Sequence, residues 1–107
     1  MLKKTVVAAV ALIWIGTAFA FDMSLDEIRA EARTDLKQAQ LHVVTFTRAH
    51  SNEPKVVAEG HFVAAQLFVK AGSLNNAKIM LRAARNADPA LSRVPVDQLK
   101  VVEEALK

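Results

Sequence analysis

Cysteine and tyrosine are both missing from this 107-residue chain. Without cysteine there is no disulfide staple, no thiol catalysis and no c-type haem attachment. The one tryptophan, Trp14, lies inside an N-terminal apolar run, so the rest of the chain has neither tryptophan nor tyrosine and a sugar- or nucleotide-stacking platform is hard to build. Only three glycines are present, and none builds a phosphate loop, a dinucleotide fingerprint or a nucleophile elbow. There is no polybasic run, which removes the usual footprint of a nucleic-acid binder. The histidines are His42, His50 and His61. No two are three or four residues apart, so no pair shares a helical face as metal ligands do. They read as surface or half-buried imidazoles. Glu103 and Glu104 form a surface pair at the chain end, not a catalytic dyad. These absences point away from an enzyme, a metal protein or a cofactor protein.

The N-terminus is distinctive. Lys3 and Lys4 precede an uninterrupted apolar run from Val6 to Ile15, and Ala18, Phe19 and Ala20 place small residues at the two positions a signal peptidase reads. Residues 1–20 are expected to be a secretory signal cleaved after Ala20. The alternative is an uncleaved anchor over residues 5–21, which at seventeen residues is at the low edge of a bilayer span. No cysteine follows the run to carry a lipid. The whole chain has a net charge of +3, but losing Lys3 and Lys4 leaves 12 basic against 11 acidic residues, or +1. The basic character of the precursor therefore says little about partners. A short, Lys-led signal before a cysteine-free chain fits a periplasmic or secreted protein. The remaining 87 residues, 21–107, suffice for one small domain. A domain of this size typically holds about 3–5 kcal/mol of net stability, to which dimerisation or partner binding would add.

From Ser24 to about His50 the pattern predicts one long amphipathic helix. Ser24 and Glu27 form a capping box, and Asp26 and Glu27 suit the positive end of the helix dipole. Leu25, Ile28, Ala32, Leu36, Ala39, Val43 and Phe46 step by three or four into one apolar stripe. Arg29, Arg33 and Lys37 line one flank and Glu27, Glu31 and Asp35 the opposite one. The run Val43 to Thr47 is rich in β-branched residues, yet it keeps the helical stripe.

Ser51 to Pro54 breaks the chain, and Pro54 opens a helix to about Ala71. Gly60 inside it costs about 1 kcal/mol relative to alanine, which a close approach from the first helix would explain. Gly72 ends that helix, Ser73 is placed to cap the next, and Leu74, Ala77, Leu81 and Ala84 share one face. Asp88 and Pro89 terminate it. Pro95 opens a last helix with Val96, Leu99, Val102 and Leu106 along one side.

The segment from Ala58 to Leu91 resembles a tetratricopeptide repeat, a helix–turn–helix unit of about 34 residues. Ala65, Phe68, Gly72, Ala77, Leu81, Ala84, Asp88 and Pro89 stand where that family puts small, aromatic, turn, small, large apolar, small and terminating residues. His61 and Ala64 depart from it, standing where tryptophan and leucine are favoured. One copy is recognisable, over about a third of the chain. The resemblance implies an all-α, right-handed array of about four helices, with the first and last helices capping the repeat.

The resemblance also implies a groove lined by the first helix of the pair. Glu59, Phe62, Gln66, Val69 and Lys70 would face it, and the cap helix would add Val96, Lys100 and Glu103. Phe62 and Val69 need a cover: a partner's helix or peptide, the cap helix, or a second copy of the chain. Too few basic and amide residues are present for a carboxylate clamp. Lys78, Arg82 and Arg85 step along one face and read as a solvated row. The expected function is that of an exported, non-enzymatic adaptor for a protein partner, without cofactor or nucleic acid. The alternatives are a self-associating structural subunit and, if the N-terminal segment persists, a small membrane-tethered accessory subunit of an envelope complex.

Overall fold

The computed structural model describes residues 21–107, so the segment expected to be a signal, 1–20, lies outside the described residues. The described chain is all-α. It forms α1 (Leu25–Glu31), α2 (Leu36–Ala49), α3 (Pro54–Lys70), α4 (Leu74–Ala87) and α5 (Val96–Ala105). None of these helices is long and apolar enough to cross a membrane. Val43 to Thr47 is helical, with the Thr45 and Thr47 hydroxyls donating back to the carbonyls of Leu41 and Val44.

The first helix begins as expected. The Ser24 hydroxyl accepts from the Glu27 N–H at 3.1 Å, and the Glu27 carboxylate accepts from the Ser24 N–H at 2.7 Å. It is not one long helix, however. It stops at Glu31, and a new helix starts at Leu36. Asp35 causes the break: its carboxylate accepts from the Gln38 N–H at 3.0 Å and caps α2, while its own N–H closes the end of α1 on the Glu31 carbonyl at 2.8 Å. A short contact of 2.6 Å between His42 Nδ1 and Glu31 Oε1 ties the two helices together. The apolar stripe survives the break. Leu25, Ile28, Ala32, Ala39, Val43 and Phe46 are all buried.

The central element is α3, which is covered on two sides. Val56, Val63, Ala64 and Leu67 join α1 and α2 in one core cluster. Ala58, Phe62 and Ala65 join Leu81, Ala84, Leu91, Val94 and Val102 in a second. Met80 packs against both. Gly60 is the point of close approach. A Cβ there would collide with the Thr47 methyl and stand 3.3 Å from Cδ1 of Phe46.

The α3–α4 turn is a Schellman motif. Gly72 takes φ +78, the Ser73 N–H reaches the Phe68 carbonyl at 2.9 Å, and the Gly72 N–H reaches that of Val69 at 3.0 Å. Ser73 makes no side-chain cap to α4, contrary to expectation, because its hydroxyl instead accepts from the Asn76 amide at 2.8 Å. Ala77, Leu81 and Ala84 are buried as the spacing predicts, whereas Leu74 at the helix start is exposed. Beyond α4 the buried Asp88 carboxylate takes both the N–H (2.9 Å) and the hydroxyl (2.8 Å) of Ser92. Leu91 inside this turn has φ +47, and its side chain is buried in the second cluster. On α5, Val102 is buried and Leu99 and Leu106 are partly so, but Val96 is exposed.

Candidate functional site

Three residues on one face of α3, His61, Ala64 and Phe68, form the floor of an apolar cleft. Their spacing of three and four keeps them in line. On one side α2 supplies Gln40, Val43, Val44 and Thr47, and on the other α4 supplies Met80. The cleft encloses about 220 Å³. That is larger than an engineered cavity of about 150 Å³ that admits benzene, and below the roughly 300–1,000 Å³ of small-molecule sites. It suits one large apolar side chain. Leu41 (62% exposed) and Val44 (46%) extend the apolar surface outward along α2, and Ile79 is exposed on α4.

His61 is the one titratable group in the lining. Burial holds its imidazole below the usual histidine range, because the charged form would lose solvent there. The lining contains no carboxylate, lysine or arginine, so the neutral ring is the form the cleft favours.

The residues expected to line a groove go to different places. Phe62 is fully buried in the second cluster, and Val69 is partly buried against it. The cover that Phe62 calls for is the chain itself, since Leu81 of α4 and Val102 of α5 share its cluster, so its expected place on an open groove is corrected. Gln66 is half-buried and accepts from Arg29 Nε at 3.0 Å, and both side chains also reach the Gln98 amide oxygen, at 3.4 and 3.3 Å. This bridge from α1 over α3 to α5 lies across the face where the groove was expected. Glu59 lines a different cavity of about 350 Å³, where Asp26, His50, Glu53 and Arg93 stand beside apolar Leu25, Phe46 and Val56. Lys70 and Lys100 are exposed, on α3 and α5.

Lys78, Arg82 and Arg85 line a third cavity of about 280 Å³ between α4 and Leu106. Arg85 is paired there with Glu103 at 2.6 Å. Among the described residues no group of three or more His, Asp or Glu is placed to hold a metal ion. No family model, curated protein or solved structure shows a match to the chain.

Proposed function

We propose that this chain is an exported, non-catalytic contact module, whose α2–α3–α4 cleft receives a large apolar side chain from a helix of a protein partner. The observation that carries the reading is the cleft itself. It is almost wholly apolar, sized for one side chain, and continuous with exposed Leu41 and Val44. A surface of that kind favours protein contact. A helical partner fits better than an extended peptide. The described chain offers no strand edge to pair with a peptide backbone, whereas a helix satisfies its own N–H and C=O groups. Export is supported by the Lys-led apolar segment before Phe21. The helix–turn–helix of α3 and α4 is in keeping with a repeat-like scaffold for such contacts.

The test is a photo-crosslinking residue at Gln40, which lines the cleft away from the Gly60 contact, with one at Lys70 as control, in the exported protein. Adducts with a protein are expected from Gln40 and not from Lys70. Val44→Asp, a change at a half-exposed position, is expected to abolish them while leaving the helical signal intact. Adducts of equal yield in Val44→Asp and wild type would refute the assignment.

A further inference from the structure

Helix α4 holds no carboxylate. Its only charged residues are Lys78, Arg82 and Arg85. They stand four and three residues apart on one face, where like charges repel and destabilise a helix. The helix dipole accounts for Arg85 alone, which lies in the last turn. All three line one cavity of about 280 Å³, together with Leu81 of α4 and Leu106 at the end of α5. Few other charges stand near it. Across the cavity Glu103 of α5 takes Arg85 at 2.6 Å, and both side chains are a little under half exposed. Lys107, next to Leu106, is already held by Glu104 at 2.8 Å. Lys78 and Arg82 take part in no ion pair among the described residues. Three cations against one carboxylate leave the cavity with two positive charges in excess.

That excess selects among anions. A carboxylate or a phosphodiester brings a single negative charge. A phosphate monoester brings about 1.5–2 at pH 7, on three acceptor oxygens. A guanidinium fork takes phosphate oxygens in pairs, and an ammonium adds a point charge. Arg82, Arg85 and Lys78 therefore match the ester in both charge and donors. The Arg85–Glu103 contact does not stand in the way. An exposed ion pair contributes little, so Arg85 can turn to a stronger acceptor. Leu81 and the half-buried Leu106 form an apolar wall, against which the organic part of an ester can lie.

We infer that the cavity between α4 and α5 is a binding site for a phosphate monoester group, held by Lys78, Arg82 and Arg85. Free phosphate and the headgroup of a phosphatidate lipid share that chemistry, and the apolar wall favours the lipid. The site lies apart from the cleft. Met80, which faces the cleft, is two residues from both Lys78 and Arg82, about 160° round the helix from each. The inference goes beyond the contact-module reading and does not depend on it.

The experiment is an NMR titration of the full chain, expressed with its own N-terminal segment and purified as processed, in phosphate-free buffer. The probes are inorganic phosphate, monomeric dihexanoyl phosphatidate and monomeric dihexanoyl phosphatidylcholine. Saturable shifts of the Arg82 Nε–H and the Leu106 methyl groups are expected with phosphatidate. None are expected with phosphatidylcholine, whose own ammonium cancels its phosphodiester charge. Tighter binding of phosphatidate than of inorganic phosphate identifies a lipid headgroup as the source. Equal affinities identify a free phosphate, and either result supports the site. Lys78→Gln/Arg82→Gln is expected to weaken binding at least about tenfold, since each charge-assisted hydrogen bond contributes about that factor. Lys37→Gln/Arg48→Gln removes the same charge from exposed positions on α2 and is expected to bind like wild type. Shifts that do not saturate, phosphatidylcholine binding as tightly as phosphatidate, or a Lys78→Gln/Arg82→Gln protein that binds like wild type would each overturn the inference. Equal losses in the two double variants would overturn it too, because only diffuse attraction to a basic surface would then remain. Crosslinking at Gln40 bears on the cleft alone, so the two readings fail separately.

Discussion

Gly60→Ala tests the close approach of α2 to α3. In an open helix interior the exchange stabilises by about 1 kcal/mol, because alanine has the higher helix propensity. Here the added Cβ meets the Thr47 methyl and stands 3.3 Å from Phe46 Cδ1. Either Thr47 turns about χ1, giving up the 2.9 Å bond from its hydroxyl to the Val44 carbonyl, or α2 moves away. Forcing a methyl into a packed contact costs about 1–3 kcal/mol. Set against the propensity gain, the expected net loss is about 1 kcal/mol. That is a large share of the few kcal/mol a domain of this size holds, and about 4–8 °C in Tm.

Thr47→Ser is the partner change. It keeps the hydroxyl and removes the colliding methyl. On that background Gly60→Ala is expected to be neutral or to stabilise by up to about 1 kcal/mol, a coupling of about 1–2 kcal/mol between the sites. Urea unfolding of the four proteins, followed by far-UV circular dichroism at a common m value, reads it directly. If Gly60→Ala stabilises wild type by about 1 kcal/mol, and Thr47→Ser leaves that unchanged, the helices do not meet at Gly60 and the reasoning is wrong.

Phe62→Ala is expected to cost about 3–5 kcal/mol, since it empties the middle of the second cluster. That rivals the whole stability of the domain, so the helical signal should already be depleted at 25 °C. Leu91→Gly relieves a left-handed backbone worth about 1 kcal/mol but removes a buried side chain worth about 2–4 kcal/mol. The expected sign is a net loss in urea midpoint, and a gain would mean that Leu91 is not packed. His61 titrates below the ordinary 6.5 when folded, so the unfolded chain takes up the proton first. Its share of stability is present above pH 6.5 and is lost as pH falls through the folded value. His61→Gln should flatten that part of the urea midpoint against pH. Asp88 is likewise held below the ordinary 3.8, chiefly by the Ser92 N–H and then the Ser92 hydroxyl. Its contribution is present above pH 3.8 and fades in more acid solution, an effect that Asp88→Asn should remove.

Periodicity carried most of the fold because burial follows it. The residues of the first stripe are buried as their spacing gives, except Leu36 at the start of α2, which is partly buried against the same cluster. The same success hid the break at Asp35. A stripe that steps by three or four on both sides of a tight turn keeps its phase, so the turn leaves no mark on the pattern. The mark was local. Asp35 followed three residues later by Gln38 is a helix-start signature in the middle of an apparent helix. Ser73 fails the other way. It stands at a helix start and could cap it, but Asn76 competes for the same oxygen. A propensity at one position cannot register that competition.

The site was less legible because its location depends on which faces of α3 stay open. Between Val56 and Val69, polar side chains are confined to Glu59, His61 and Gln66. A helix apolar nearly all round is a buried helix and leaves no broad groove along itself. That argues against an exposed Phe62 before any coordinates are known. The open surface falls instead to the helices packed around α3, and consecutive apolar residues mark where. Neighbours on a helix lie about 100° apart, so on a narrow seam both cannot face the same core. Val43 is buried and Val44 exposed, and Val102 is buried and Val101 exposed. Val44, the outward member of the α2 doublet, borders the apolar cleft that α2, α3 and α4 enclose, so the open surface lies beside α3 and not along it.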